Sequence, residues 1–79
     1  MRSRLYVCYD RVAQECAPPF LAKNDAQALR MFEKGMENSP DFHDFQLVCL
    51  AAFDTETMRI DPLAVPQVVV SPEQEESGL

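Results

Sequence analysis

Glycine, tryptophan and histidine are scarce in this chain: its 79 residues include two glycines, one histidine and no tryptophan. A loop that wraps nucleotide phosphates needs glycines between a strand and a helix, and neither Gly35 nor Gly78 stands in such a place. The composition therefore excludes nucleotide hydrolysis. The lone His43 lies among polar residues, so we interpret it as a solvated side chain, and the sequence predicts no catalytic residue and no enzyme.

Long apolar runs are also lacking. No stretch reaches the roughly 18 apolar residues of a membrane-spanning helix. The basic residues Arg2 and Arg4 lead into only a handful of apolar positions, too few for the apolar part of a signal peptide. We therefore expect a cytoplasmic protein without a membrane partner.

Cysteine occurs three times, at Cys8, Cys16 and Cys49, an odd number without paired spacing. This pattern indicates reduced thiols rather than a disulfide framework. Adding His43 makes a formal set of three cysteines and one histidine, but its spacing is unlike that of a zinc knuckle. Cys8 and Cys49 also lie in apolar runs, where cysteine packs as a small hydrophobic residue. We predict no metal site and no cofactor.

The net charge of −6 is unevenly distributed along the chain. Residues 1–34 carry six basic and four acidic side chains, whereas residues 35–79 carry one basic and nine acidic side chains. The two halves therefore attract each other. Nucleic-acid binding over the whole surface is disfavoured, because phosphate contacts need clustered lysine and arginine, but a local basic patch near the N-terminus stays open.

A helix is predicted over residues 25–37. Asn24 is a favoured N-cap, Asp25 places a negative charge at the positive end of the helix dipole, and Gln27 stands three residues after the cap. An apolar stripe at helical spacing follows, formed by Ala28, Leu29, Phe32 and Met36. The pattern indicates one amphipathic helix lying on a sheet.

Two apolar runs predict the central strands of that sheet. Residues 4–9 alternate with period two and are partly apolar on both faces. Residues 45–53 form the stronger strand, with one face made of Phe45, Leu47, Cys49, Ala51 and Phe53. A single helix covers one face only. The second face is therefore predicted to form a homodimer contact through Val48, Leu50 and Ala52.

Shorter segments complete the predicted fold. Residues 20–22 are expected to return antiparallel to the first strand, and residues 58–60 and 66–70 to be extended after a polar turn. The fold class is α+β: a small antiparallel sheet of three to five short strands with one amphipathic helix packed on one face. Residues 1–70 are predicted to form this single domain, and residues 71–79 a disordered acidic tail.

The aromatic side chains of the predicted strands allow a different interpretation. Such side chains can stack on nucleic-acid bases beside basic residues that bind phosphates, although they more often form a core. The aromatic residues concerned are Tyr6, Tyr9, Phe20 and Phe53. From them and their basic neighbours we take Arg4, Tyr9, Arg11 and Lys23 as a candidate nucleic-acid site.

Three short motifs carry a family resemblance. They are Tyr9-Asp10-Arg11 after the first strand, Ala22-Lys23-Asn24-Asp25-Ala26 at the helix start, and Phe53-Asp54-Thr55-Glu56-Thr57 after the strong strand. In this order they resemble the small nonstructural proteins of gokushovirus-like Microviridae, which are single-stranded DNA phages. Members of that family tend to have glycine where Met58 stands.

The resemblance implies a role during infection in genome replication or its handover to packaging, in the cytoplasm of the host bacterium. It implies no catalytic residues. Two hypotheses follow. The first is a nonenzymatic adaptor that forms a homodimer and binds a viral or host replication or packaging protein. The second is a single-stranded DNA-binding protein that uses Arg4, Arg11, Lys23 and the strand aromatics.

Overall fold

The computed structural model of the protein describes residues 2–37 and 42–70. Its elements follow in the order β1 (Arg2–Asp10), β2 (Glu15–Cys16), β3 (Phe20–Ala22), α1 (Asp25–Met36), a short 3-10 helix (Phe42–Asp44), β4 (Phe45–Asp54) and β5 (Ile60–Val70). The predicted tail at residues 71–79 lies outside the described residues. Among those residues, no helix is long and apolar enough to cross a membrane.

The strands form one antiparallel sheet in the order β2-β1-β4-β5, and β3 also pairs with β1. β1 and β4 are central, as expected for strands with apolar residues on both faces. The predicted antiparallel return of residues 20–22 is confirmed by β3. Of the two extended segments predicted after the polar turn, Ile60 and residues 66–70 belong to a single strand, β5, whereas Met58 and Arg59 precede it. The two-residue strand β2 was not predicted.

The predicted start of α1 is confirmed. Asn24 caps the helix, since its Oδ1 accepts a 2.9 Å hydrogen bond from the backbone N–H of Gln27. The Gln27 side chain reaches back to accept a 2.7 Å bond from the backbone N–H of Lys23. One N–H group that the helix cannot satisfy internally, and the N–H of the residue before the cap, are thereby paired.

The helix packs on one face of the sheet through the predicted apolar stripe. Ala28 and Phe32 are its buried members, and Leu29 and Met36 pack at the margin. The buried cluster beneath consists of Tyr6, Ala22, Ala28, Phe32, Leu47 and Cys49. The predicted α+β architecture, with one helix on one face of an antiparallel sheet, is confirmed.

A β-bulge at Leu50 changes the predicted faces of β4. Cys49 pairs with Tyr6 and Ala51 pairs with Leu5, so two steps on β4 match one step on β1. Paired residues of antiparallel strands share a face, so Ala51 lies on the opposite face from Cys49. The prediction that Ala51 and Phe53 share a face with Cys49 is therefore wrong, because strict alternation fails at a bulge.

Two turns of the same construction close β1 and β4. In the first, Oδ1 of Asp10 accepts hydrogen bonds from the backbone N–H groups of Val12 and Ala13 at 2.9 and 3.0 Å. The N–H of Gln14 donates to the Asp10 carbonyl at 2.8 Å. Gln14 has a φ of 60°, in the left-handed region that favours glycine.

The second turn repeats this pattern, starting at Asp54. Oδ1 of Asp54 accepts from the N–H groups of Glu56 and Thr57 at 2.9 and 3.3 Å, and the N–H of Met58 donates to the Asp54 carbonyl at 2.9 Å. The bonds from Glu56 and then Thr57 lower the pKa of the Asp54 carboxyl. Met58 has a φ of 63°, in the left-handed region that favours glycine. This is the position at which the gokushovirus-like proteins that the chain resembles tend to have glycine.

Candidate interaction surface

The face of the sheet opposite α1 carries a groove of about 310 Å³. Val7 on β1 and Val48 on β4 are its buried members, and Leu50 beside them is half-buried. Pro66 and Val68 of β5 line it on one side. Tyr9, Cys16 and Gln46 complete the lining. None of these residues is charged, so the groove is an uncharged, mainly apolar surface, which we call the open face groove.

The apolar surface continues beyond the open face groove. Leu5 pairs with both Ala51 and Leu21, and Phe53 pairs with Ile60. The register places these residues on the same face as Val7, because β1 alternates with period two. Leu21 and Ile60 are exposed, at 41% and 55% of their full surface. The uncovered face thus extends across β3, β1, β4 and β5.

The opposite face ends in a small polar cluster at the start of α1. The phenol of Tyr6 donates a 2.7 Å hydrogen bond to Oδ1 of Asp25. Nη1 of Arg4 lies 3.6 Å from the same oxygen and 4.0 Å from Sγ of Cys49. Burial, and then the hydrogen bond to Asp25, raise the pKa of the Tyr6 phenol well above its usual value. Tyr6 therefore stays a protonated donor, and the cluster joins the helix to the sheet.

The predicted nucleic-acid residues lie on different surfaces. Arg4 is on the helix side and paired with Asp25, whereas Tyr9 lines the open face groove. Lys23 is exposed before the helix, and Arg11 follows β1, where its N–H donates to the Asp44 carbonyl at 2.8 Å. Arg4 and Tyr9 therefore lie on opposite faces of the sheet.

The other aromatic residues of that prediction are also divided. Tyr6 is fully buried and stacks on Phe20 with ring centroids 5.8 Å apart, within the packing beneath α1. Phe53 lies on the opposite face. Strand aromatics on one side of this sheet thus serve the core.

The predicted dimer residues are separated by the bulge. Val48 and Leu50 line the open face groove, but Ala52 pairs with Arg4 and lies on the helix side. Sequence reasoning missed Val7, Pro66 and Val68 as groove residues. The alternation along β1 predicts that Val7 lies on the face of the sheet opposite to that of Tyr6, so the position of Val7 could have been predicted. The positions of Pro66 and Val68 depend on the long-range pairing of β5 and could not.

The three cysteines occupy different surroundings. Cys49 is buried beneath α1, Cys8 is partly buried on the same face, and Cys16 is exposed beside the open face groove. Burial raises the pKa of the Cys8 thiol. Within residues 2–37 and 42–70, no three histidine, cysteine, aspartate or glutamate side chains gather as metal ligands would.

A family model matches this chain and spans nearly all of the described fold. The model is that of the Phage ORF5 protein, and it matches residues 3–74. No curated protein and no solved structure matches the chain. Because the match includes every strand, α1 and both aspartate turns, the chain belongs to the Phage ORF5 protein family.

Proposed function

We propose that this phage protein is a nonenzymatic adaptor of a single-stranded DNA microvirus. It acts in the cytoplasm of the host bacterium, in genome replication or its handover to packaging, by binding a viral or host protein. Family membership supports the phage setting. The resemblance of the three motifs to gokushovirus-like nonstructural proteins supports the narrower assignment.

The observation that carries the proposal is the open face groove. It is an uncharged surface on a sheet whose other face is already covered by α1. Extended apolar patches on small soluble proteins are typical of protein-binding sites. Val7 and Val48 are buried at the bottom of the groove, and Pro66 and Val68 are exposed and available for contact.

The charge distribution favours a protein partner over DNA. Arg2 and Arg59 both pair with Asp61, at 3.5 and 3.1 Å, and Arg4 pairs with Asp25. These pairs reduce the positive field at the N-terminal end of β1, and the whole chain carries −6. A phosphate-binding surface would need unneutralised clustered cations.

Complementation of a phage that lacks this gene tests the proposal. Val68→Lys adds a charge to the open face groove, whereas Met31→Lys adds one to a similarly exposed site on α1; the two residues are 41% and 44% exposed. We expect Val68→Lys to lose most phage yield and to alter the ratio of double-stranded to packaged DNA, and Met31→Lys to complement. Full complementation by Val68→Lys contradicts the proposal.

A salt series with a fluorescent single-stranded oligonucleotide addresses the DNA-binding alternative. Binding through phosphates weakens steeply as salt rises. We expect no such binding at physiological salt. Micromolar or tighter binding with a steep salt dependence, reduced by Lys23→Ala, would favour the single-stranded DNA-binding function instead.

A further inference from the structure

We infer that the occupant of the open face groove is a second copy of this chain, in a two-fold dimer with the two sheets face to face. The inference rests on the proposed function only in placing the contact on the open face. It names a second copy as the protein bound there, and the viral or host protein of the proposed function then binds the resulting dimer.

The edges of the sheet disfavour the other way of joining two copies. On one side, β2 and β3 are only two and three residues long. On the other, β5 contains Pro62 and Pro66, which lack the N–H that an added strand would bond. Short edge strands and prolines are features that prevent strand addition. Association through a face is therefore favoured, and α1 already covers the other face of the sheet.

Charge also makes the open face the side on which like copies can meet. Each chain carries −6, so any contact that brings acidic surfaces together is opposed. The open face groove has no charged lining residue. In a two-fold contact a surface meets itself, so an uncharged apolar surface is self-complementary where a charged one is not.

A stable dimer needs an apolar face that extends beyond the groove itself. A standard interface buries about 800 Å² on each partner. That is about one seventh of the 5598 Å² accessible surface of this chain. The groove supplies part of it, and Leu21 and Ile60 extend the exposed apolar area on either side.

Sedimentation equilibrium of the full chain at micromolar concentration tests the inference. We expect a particle of twice the 9.0 kDa chain mass. Val68→Lys is expected to weaken dimerisation at least 100-fold and give a folded 9.0 kDa monomer, whereas Met31→Lys leaves the dimer intact. Circular dichroism reports folding. Should Val68→Lys unfold, Pro66→Glu at an exposed groove position serves as the second variant.

Alkylation of Cys16 gives a second measurement. This thiol is exposed in the single chain and lines the groove, while Cys49 is buried beneath α1. We expect Cys16 to react at least tenfold more slowly in the dimer than in the Val68→Lys monomer, as followed by mass spectrometry. Equal rates at Cys16 in a confirmed dimer would place the contact elsewhere and overturn the inference.

The two proposals fail separately. A 9.0 kDa particle for the unmutated chain overturns the dimer, and the adaptor role is then judged by the infection result alone. A dimer that Val68→Lys dissociates, combined with full complementation by that variant, upholds the dimer and refutes the adaptor role of the face.

Discussion

Tyr6 and Asp25 join the central strand β1 to the first residue of the helix. The buried phenol donates to the carboxylate over 2.7 Å, and the carboxylate also faces Arg4. Asp25 thus combines a favourable charge at the helix N-terminus with a fixed acceptor for a side chain that has no solvent contact. The pair holds α1 in register over the sheet.

Replacing Tyr6 with phenylalanine tests this pair. The change keeps the ring and its stacking on Phe20 but removes the donor to Asp25. Because Asp25 is half exposed and can be resolvated, we expect a loss of about 1–2 kcal/mol in the free energy of unfolding. Urea unfolding measures it. In a double-mutant cycle with Asp25→Asn, additive losses would mean that the two side chains do not interact.

Stability at alkaline pH should also depend on Tyr6. Its pKa is raised in the folded protein by burial and by the bond to Asp25, whereas in the unfolded chain it titrates near its usual value of about 10. The contribution is complete below pH about 10 and is lost as pH rises above it, since only the unfolded state releases the proton. Unfolding midpoints between pH 8 and 11 should fall more steeply for the unmutated protein than for Tyr6→Phe. Parallel curves would contradict this assignment.

Phe32 anchors α1 on the sheet. It is 3% exposed and belongs to the buried cluster with Leu47 and Cys49. Truncation to alanine should cost about 3–5 kcal/mol, the usual penalty for a buried aromatic side chain. Thermal unfolding checks this, with Met31→Ala on the exposed side of α1 as the control. An unchanged melting midpoint for Phe32→Ala would show that the helix face is wrongly assigned.

Met58 holds a backbone conformation that glycine adopts at no steric cost. Its φ of 63° follows from its place in the Asp54 turn. A left-handed conformation costs an L-residue about 1–2 kcal/mol. Glycine removes this cost, but its greater conformational freedom in the unfolded chain offsets part of the gain in stability. Met58→Gly should therefore stabilise the protein by about 0.5–1 kcal/mol. Gln14→Gly repeats the test in the Asp10 turn, and destabilisation in both would refute the strain argument.

Local signals in the sequence were sufficient for several elements. The start of α1 was readable because the groups that cap it, on Asn24 and Gln27, lie within one turn of each other. Period two in residues 4–9 assigned the faces of β1 because no bulge residue interrupts that strand. The aspartate motifs could be recognised as strand ends because their hydrogen bonds are also local: Asp10 and Asp54 accept from the backbone N–H groups two and three residues later.

The candidate surface was less predictable, because it depends on contacts distant in sequence. The bulge at Leu50 depends on how β4 pairs with β1. Leucine is not a residue type that indicates a bulge, so the sequence does not predict it. It moves Ala52 away from the predicted dimer contact and brings Ala51 and Phe53 to the open face. The part played by Pro66 and Val68 likewise follows from the pairing of β5 with β4.

The central place of β1 has a consequence for the order of folding. β1 is synthesised well before its long partner β4, with Asp10 opposite Phe45 and Arg2 opposite Asp54. Until β4 leaves the ribosome, α1 has no Leu47 or Cys49 on which to pack. Sheets that rely on such distant pairings fold more slowly than helical bundles, whose contacts are local. The nascent chain therefore emerges with α1 and β1 incompletely packed, and they acquire native packing only after β4 has been synthesised.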